Sequence, residues 1–388
     1  MSDTPSPALT LLRGADVYAP EHLGPRDLLV GAGRILGVAA HIEPPTGIEV
    51  ETVAAGDLVA IPGLVDLHVH FAGAGGEGGP ATRTPELSAS ALLAGGTTTS
   101  VGCLGADGVT RTISALLMKA KGLREEGVSA WIYTGAYQVP LPTLLGDVAG
   151  DLALVEEVVG VGEVAVADHR SSHLSVDELV RLASRARIGG MLGGKAGIVH
   201  LHLGDGAGPF DLIDRAVETS ELRHSQFLPT HANRSRAVFE EARGYAARGA
   251  VDLTTSAFVA FQDEEVKPSG ALATLLANVP SEHVTMSSDG GGSLPRFDDA
   301  GVLQGTEVGD PASLFAELID GVSREGLPLE RALPSVTSNP ARILKLPRKG
   351  RLAAGMDADV VLLDRDLRIR HVISGGEWRV GDPGEANR

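Results

Sequence analysis

Cysteine is almost absent from this sequence: Cys103 is the only one among 388 residues. No intramolecular disulfide can therefore form, which favours a reducing compartment. Basic residues are also few, 33 against 50 acidic ones, and the net charge of −17 argues against nucleic acid or an acidic membrane surface as a partner. The start of the chain lacks the basic and apolar regions of a signal peptide, and no apolar run has the length of a transmembrane helix. We expect a cytoplasmic protein with no nucleic-acid or membrane partner.

Helical periodicity is missing from the first sixty residues. Short apolar runs such as Leu9–Leu12 and Asp27–Val30 alternate there with turns rich in glycine and proline, which is typical of β-structure. Similar runs return near the end of the chain, at Ala358–Leu363 and Arg368–Ile373. The two ends are therefore predicted to form one small β-sandwich domain, built from residues 1–61 and 350–388.

The long middle segment, residues 62–349, alternates strand-like and helix-like runs. The strand-like Ile198–Leu203 precedes the helix-like Pro209–Ser220, and the strand-like Gln226–Thr230 precedes Ala237–Arg248. Alternating strands and helices imply a parallel sheet. At this length the closed (β/α)8 TIM-like barrel is the leading solution, so the fold class is α/β.

Polar residues recur where the strands of such a barrel should end. His68 and His70 lie in the apolar run Leu64–Phe71, and residues two apart on a strand point to the same face. Two imidazoles on one face form half of a site for Zn²⁺ or a similar metal. Repeating units of about 30 residues assign the candidate ligands to the first, fourth, fifth, sixth and eighth strands. These ligands are His68, His70, Glu163, His202, His231 and Asp289. All would open on the face of the barrel where such enzymes carry their active sites.

At this point the sequence resembles the amidohydrolase superfamily and, more narrowly, the isoaspartyl dipeptidases. The superfamily features are the His-x-His pair, the later single histidines and the final aspartate. The narrower resemblance covers nearly the whole chain and depends on several motifs together. They are His70–Glu77, Thr82–Glu86, Thr134–Tyr137, Asp168–Ser171, Gly193–Lys195, Pro229–Arg234 and Ser287–Ser293.

The resemblance implies a binuclear hydrolase with two Zn²⁺ ions per chain. His68, His70, Glu163 and Asp289 would hold one ion, while Glu163, His202 and His231 would hold the other. A hydroxide between the two ions would attack the β-aspartyl amide bond of a dipeptide. Asp289 would act as general base and then general acid, and Tyr137 would polarise the carbonyl or stabilise its oxyanion.

The sequence departs from the family at the bridging ligand. Relatives commonly bridge the two ions with a carboxylated lysine, whereas Glu163 stands at the matching position, six residues before His169. Glutamate also presents a carboxylate, so we expect a bridge that needs no CO₂. Two alternatives stay open: Glu163 as a surface acid, and Lys195 as the carboxylated residue. Among the remaining histidines, His200 is the one most easily confused with a ligand.

A β-aspartyl dipeptide carries a free ammonium group and a free carboxylate, so its site needs charges of both signs. Glu77, on the glycine-rich loop 72–79, is expected to meet the ammonium group as a catalytic and substrate-binding residue, and Gly75 is expected to contact substrate on the same loop. Arg170, Arg234 and the hydroxyl of Ser293 are expected to bind carboxylates. The alternative is that both arginines and Glu77 are ordinary surface residues.

Ala106 stands where relatives often carry a threonine that touches substrate, and Cys103 is interpreted as a buried, inert thiol. A cyclic-amide hydrolase such as a dihydroorotase or hydantoinase is the alternative enzyme, and a scaffold without catalytic activity is the alternative from another class. Relatives also suggest a homo-oligomer, namely an octamer.

Overall fold

The computed structural model describes residues 9–259, 265–297 and 303–382. Its first part is a run of strands that ends just before the His68–His70 pair. These strands are β1 (Leu9–Tyr18), β2 (His22–Gly31), β3 (Arg34–Ala39), β4 (Val50–Ala54) and β5 (Val59–Pro62). β1 is long enough to pair with β4 along its first half and with β5 along its second half.

Strands in the central part of the chain run parallel to their neighbours. They are β6 (Leu64–Val69), β7 (Thr97–Gly102), β8 (Ser129–Thr134), β9 (Val158–Val166), β10 (Ile198–Leu203), β11 (Phe227–Thr230), β12 (Val251–Thr254) and β13 (Val284–Ser287). β6 to β11 form one sheet in chain order, and β12 pairs with β13. The backbone amide of Ala232, after β11, donates to the backbone carbonyl of Asp252 in β12 at 3.1 Å. The backbone amide of Asp289, after β13, donates to the backbone carbonyl of His68 in β6, also at 3.1 Å. The parallel sheet is confirmed, and its closure into a full barrel stays a prediction.

Helices alternate with these strands. They are α1 (Ala89–Ala94), α2 (Ile113–Glu125), α3 (Val148–Leu154), α4 (Val176–Gly193), α5 (Asp211–Glu218), α6 (Arg236–Tyr245), α7 (Pro268–Asn278), α8 (Ser313–Ser323), α9 (Leu329–Ala332) and α10 (Ser338–Ile343). α4 begins at a capping box, in which Ser175 and Glu178 satisfy each other's backbone amides, and ends at Gly194 with φ of 65°. Between β13 and α8 lies an antiparallel hairpin of β14 (Ser293–Phe297) and β15 (Leu303–Val308).

The end of the chain returns to the first sheet. β16 (Val360–Leu363), β17 (Ile369–Ser374) and β18 (Glu377–Val380) extend it through the antiparallel pairing of β16 with β5. The prediction that both ends build one β-structure is confirmed. The strands of both ends form one mixed hydrogen-bonded sheet, in which the long β1 pairs with β2, β4 and β5, and the two-layered sandwich stays a prediction. The domain boundaries stay predictions.

Apolar packing holds these layers together. The largest buried cluster joins the parallel strands to the surrounding helices, through residues such as Val161, Val199 and Leu275. A separate cluster covers the terminal sheet and includes Leu28 and Val360. Within the described ranges no helix has both the length and the apolar character needed to cross a bilayer.

Candidate metal centre

Glu163 lies inside β9, with its side chain fully buried. Glu163 stands between two apolar runs, Val158–Val161 and Val164–Ala167, so a strand could end just before it. Instead β9 continues through Glu163, and its register against β10 shifts between the pairs Val161–Val199 and Val164–Leu201. β9 thus holds one extra residue there, and such a bulge re-aims the neighbouring side chains.

Gly162 makes this bulge possible. A Cβ atom at position 162 would lie 2.8 Å from both the Cβ and the carbonyl oxygen of His200 on β10, closer than any real side chain tolerates. Gly162 also has φ of 155°, within the range that favours glycine. The close approach of β9 and β10 at this point therefore requires glycine directly before the buried glutamate.

The two carboxylate oxygens of Glu163 face two different groups of donors. Oε2 lies 3.2 Å from Nε2 of His68 and 3.7 Å from Nε2 of His70. Oε1 lies 2.6 Å from Nδ1 of His202 and 3.1 Å from Nε2 of His231. One carboxylate thus stands between two pairs of imidazoles, which is the arrangement that a ligand shared by two cations requires.

Asp289 completes the first of these groups. Its Oδ1 atom lies 3.0 Å from Nε2 of His70 and 3.6 Å from Nε2 of His68. Among the described residues, Nε2 of His68, Oε2 of Glu163 and Oδ1 of Asp289 are buried and have no hydrogen-bond partner. Leaving three neighbouring polar atoms buried without a partner costs free energy unless something binds them. The site therefore fits a metal ion at this position.

The electrostatics of the cluster also favour a cation. Burial alone would raise the pKa of Glu163, but the charges of His68 and His202 hold that pKa well below its ordinary value. Burial would lower the pKa of His68, yet the charge of Glu163 raises it well above the usual range. The buried carboxylates thus favour positive charge in this cluster, which protonated imidazoles would supply in the absence of metal. A divalent ion could supply that charge instead, bound by neutral imidazoles.

His231 is already in the form that binds metal. Burial, with the nearby charge of His202, lowers the pKa of His231 to about 3. Its ring is therefore neutral at neutral pH and carries a lone pair on one of its two nitrogens, of which Nε2 faces Glu163. Its other nitrogen, Nδ1, lies 2.6 Å from the hydroxyl of Thr254, which fixes the orientation of the ring.

Two more histidines are held by a second partner in the same way. Nε2 of His202 lies 3.0 Å from Oδ2 of Asp168, so that Nδ1 is directed to Glu163. Nδ1 of His68 lies 3.4 Å from the hydroxyl of Thr230, which itself donates to Asp252 at 2.7 Å. Supporting contacts of this kind orient metal-binding histidines in general.

One cavity opens above the cluster and brings together the residues proposed for substrate. Besides His70, His202, His231 and Asp289, its lining includes Gly75, Glu77, Ala106, Tyr137, Arg170, Arg234 and Ser293. The hydroxyl of Tyr137 lies 2.7 Å from Nδ1 of His202. Residues separated by more than 200 positions in the sequence thus meet at the mouth of one cavity.

Arg170 is strongly held inside this cavity. Its guanidinium donates to both carboxylate oxygens of Asp168, at 2.9 and 2.8 Å, and also to Glu77 at 3.2 Å. The guanidinium carbon lies 5.2 Å from the ring centre of Tyr137. Burial lowers the pKa of Arg170, but its hydrogen bonds to Asp168 outweigh that effect and raise it. Arg170 therefore positions Glu77, Asp168 and Tyr137 relative to one another.

Arg234 is held more loosely. Its Nε atom lies 3.1 Å from both carboxylate oxygens of Asp205, and the side chain of Asp205 is 66% exposed. An ion pair with so exposed a partner is worth only about 0–1 kcal/mol. A substrate carboxylate could therefore replace Asp205 at Arg234 at little cost.

Lys195, the alternative bridge, and His200, the histidine most easily confused with a ligand, both make contacts outside the two donor groups, although the ring centroid of His200 lies 4.8 Å from that of His68. Lys195 precedes β10 and donates to the backbone carbonyl of Val155. His200 binds the carbonyl of Leu228 through Nδ1 at 3.1 Å, and its ring stacks on Tyr133 with centroids 4.9 Å apart. Neither residue belongs to the groups that could hold a metal ion within the described ranges.

Sequence reasoning assigned no role to three residues that the structure places at the site. Asp168 lies in the quoted motif Asp168–Ser171, yet its contact with His202 depends on how β9 and β10 pair. Asp252 lies within the buried strand β12, and an acid in such a run is the only sequence signal that could have indicated a buried carboxylate there. Cys103 follows β7 directly, and its thiol is in contact with the His70 ring, with Sγ 3.8 Å from Nδ1.

The comparisons with known proteins agree with this geometry. A family model described as "Amidohydrolase family" matches residues 59–379. The β-aspartyl dipeptidase of Fervidobacterium islandicum AW-1, solved in complex with the β-Asp-Leu dipeptide, is 39% identical, covers 98% of each chain and has a TM-score of 0.92. A second structure of that enzyme is 38% identical, with a TM-score of 0.88 over 97% of this chain and 98% of the other. An allantoinase of Deinococcus radiodurans is 26% identical over 91% of this chain and 86% of its own length.

Proposed function

Because the chain belongs to the amidohydrolase family and, within it, to the β-aspartyl dipeptidases, we propose that it hydrolyses β-aspartyl dipeptides with two divalent metal ions. The observation that carries the proposal is the division of four histidines between the two oxygens of Glu163. Zinc is the proposed metal, since imidazole and carboxylate ligands suit it. We also propose that β6 to β13 form a closed (β/α)8 barrel and that the protein is a homo-oligomer.

When bound, the two ions would lower the pKa of a water molecule from 15.7 to about 7 and make it nucleophilic at neutral pH. Asp289, at the edge between the ligands and the cavity, is the base that accepts the proton of this water. It would then deliver the proton to the departing amine. Burial opposes ionisation of Asp289, but the charge of His68 keeps its pKa below the ordinary value, so the carboxylate is available as a base.

Tyr137 is proposed to act on the scissile carbonyl. Its side chain is buried at the cavity and its hydroxyl lies against His202, a proposed ligand of the second ion. Burial, together with the charge of Glu163, raises the pKa of Tyr137 well above its ordinary value, so the hydroxyl keeps its proton. A protonated hydroxyl can donate a hydrogen bond to the oxygen on which negative charge develops.

Substrate selection is proposed to depend on the charges around the cavity. Glu77 is fixed by Arg170 and would receive the free ammonium group of the β-aspartyl residue. Arg234 exchanges its exposed partner Asp205 for a substrate carboxylate, with Ser293 and the backbone near Gly75 beside it. Arg170 donates two hydrogen bonds to Asp168 and one to Glu77, so its guanidinium is already committed. Arg234 is therefore the arginine that can more easily change partners.

An activity panel tests this proposal. We expect purified, zinc-loaded protein to hydrolyse β-Asp-Leu and to act far more slowly on dihydroorotate and hydantoin. The similarity to an allantoinase makes a cyclic-amide hydrolase the second candidate, so preference for a cyclic substrate would reverse the assignment. No hydrolysis of any of the three by fully metal-loaded protein would favour the scaffold without catalytic activity.

Replacing Arg234 by methionine is expected to weaken hydrolysis of β-Asp-Leu without unfolding the protein. Loss of a charge-assisted hydrogen bond is worth about 1.5–3 kcal/mol, so kcat/KM should fall roughly tenfold to a hundredfold. The matched control is Arg243→Met, because Arg243 lies on the nearby α6 and also pairs with one exposed carboxylate, that of Glu240. Equal kcat/KM values for the two variants would show that Arg234 does not bind substrate.

A further inference from the structure

Cys103 lies directly beside the proposed metal ligands. Its Sγ atom is fully buried at the end of β7, 3.8 Å from Nδ1 and 4.0 Å from Nε2 of His70. One donor atom each from His68, His70, Cys103 and Glu163 lie within 4.8 Å of one another. The sequence context of Cys103 predicts an inert core cysteine. A position among three proposed metal ligands is unusual for such a residue.

The spacing suits a shared ion. Zinc binds nitrogen at about 2.0–2.1 Å and sulfur at about 2.3 Å, so a nitrogen and a sulfur on one tetrahedral ion stand roughly 3.5 Å apart. Nε2 of His70, the nitrogen that faces Glu163 and Asp289, lies 4.0 Å from Sγ, which is about half an ångström more than this value. The thiol also lies 3.7 Å from the carbonyl oxygen of Val69, a long contact that leaves the sulfur available to a further partner.

A second observation points to the same ion. Nε2 of His68 and Oε2 of Glu163 are buried and have no hydrogen-bond partner among the described residues, and both belong to the group that includes Cys103. We propose that Cys103 is a further ligand of the ion that His68, His70 and Glu163 would hold. This proposal rests on the metal site of the proposed function and adds a residue to it.

A soft sulfur ligand would change which metals the site prefers. Thiolate favours zinc and other thiophilic ions over magnesium, calcium or manganese, which prefer oxygen ligands. The two positions would then differ in character, because the group of Glu163, His202 and His231 offers only nitrogen and oxygen. The ion near Cys103 is therefore expected to bind more tightly and to resist chelators longer.

Cobalt spectroscopy tests the proposal with unusual clarity, because Cys103 is the only cysteine of the chain. A thiolate-to-cobalt charge-transfer band can therefore arise from no other residue. Metal-free protein reconstituted with Co²⁺ should show this band in the near ultraviolet, and Cys103→Ser and Cys103→Ala should lose it. The matched control is Val101→Ala, which shortens another fully buried side chain of β7 without removing a ligand and should keep the band.

Chelator competition provides a second readout. The tighter of the two ions should bind about tenfold to a hundredfold more weakly in Cys103→Ala than in Val101→Ala, the range found for residues that support metal sites. Absence of the band in wild-type protein that holds two cobalt ions and hydrolyses β-Asp-Leu would overturn this inference and leave the proposed function intact. Failure to bind any cobalt would overturn both.

Discussion

Glu163→Gln is expected to lose one metal ion per chain and to lower kcat on β-Asp-Leu by more than about a hundredfold. The neutral amide has one oxygen that can bind a cation, whereas the carboxylate offers one oxygen to each group of histidines. Removing the negative charge also leaves His68 and His202 facing each other across a buried site without their shared counter-ion. Elemental analysis and steady-state kinetics on the same preparation would measure both effects.

Glu157→Gln is the matched control for this change. Glu157 is a buried glutamate directly before β9, but it pairs with Lys121 at 2.9 Å and lies outside both donor groups. We expect this variant to keep two ions and near-normal turnover. If Glu163→Gln also keeps both ions and full rate, the bridge lies elsewhere, and the account of the metal centre is wrong.

Asp289→Asn is expected to lower kcat by about 10²–10⁴-fold, the usual contribution of a general acid–base residue. Asparagine has nearly the same shape, so the fold should persist, but its amide cannot accept the proton of the attacking water. The measurement is kcat on β-Asp-Leu, with metal content determined in parallel to separate loss of the base from loss of a ligand.

Asp310→Asn provides the comparison, since Asp310 is an exposed aspartate whose carboxylate caps the backbone amide of Ala312. This variant should retain wild-type kcat. If Asp289→Asn binds two ions and turns over within about tenfold of wild type, another group must act as the base.

The grouping of the candidate ligands could be predicted from the sequence because their signals are local. His68 and His70 are two residues apart in an apolar run, so a strand places both rings on one face whatever surrounds it. His202, His231 and Asp289 follow apolar runs at intervals of whole strand–helix units, and parallel strands bring such residues to one end. Strand boundaries were also close: Ile198–Leu203 was predicted as a strand and is β10.

The exact orientation of Glu163 and the contacts of Asp168 and Cys103 depend on how distant strands pair. A local sequence pattern does not contain this information. The bulge at Glu163 comes from the register shift between β9 and β10 at Gly162, and the apolar runs on either side of Glu163 carry no sign of it. Likewise, Asp168 binds Arg170 and His202 together, which ties Arg170 down and leaves Arg234 as the freer arginine. The burial of Cys103 was predicted, but its histidine neighbours were not, because a buried thiol looks the same in sequence whether its neighbours are leucines or histidines.

Metal reconstitution without CO₂ tests the central claim most directly. Metal-free protein would be titrated with Zn²⁺ in buffer stripped of CO₂, with hydrolysis of β-Asp-Leu measured after each addition. The account predicts that activity rises until two equivalents per chain are bound and is unchanged when bicarbonate is added, because the Glu163 carboxylate needs no carbamate. Activity that saturates at one equivalent, or that appears only after bicarbonate is supplied, would contradict a binuclear centre built on Glu163.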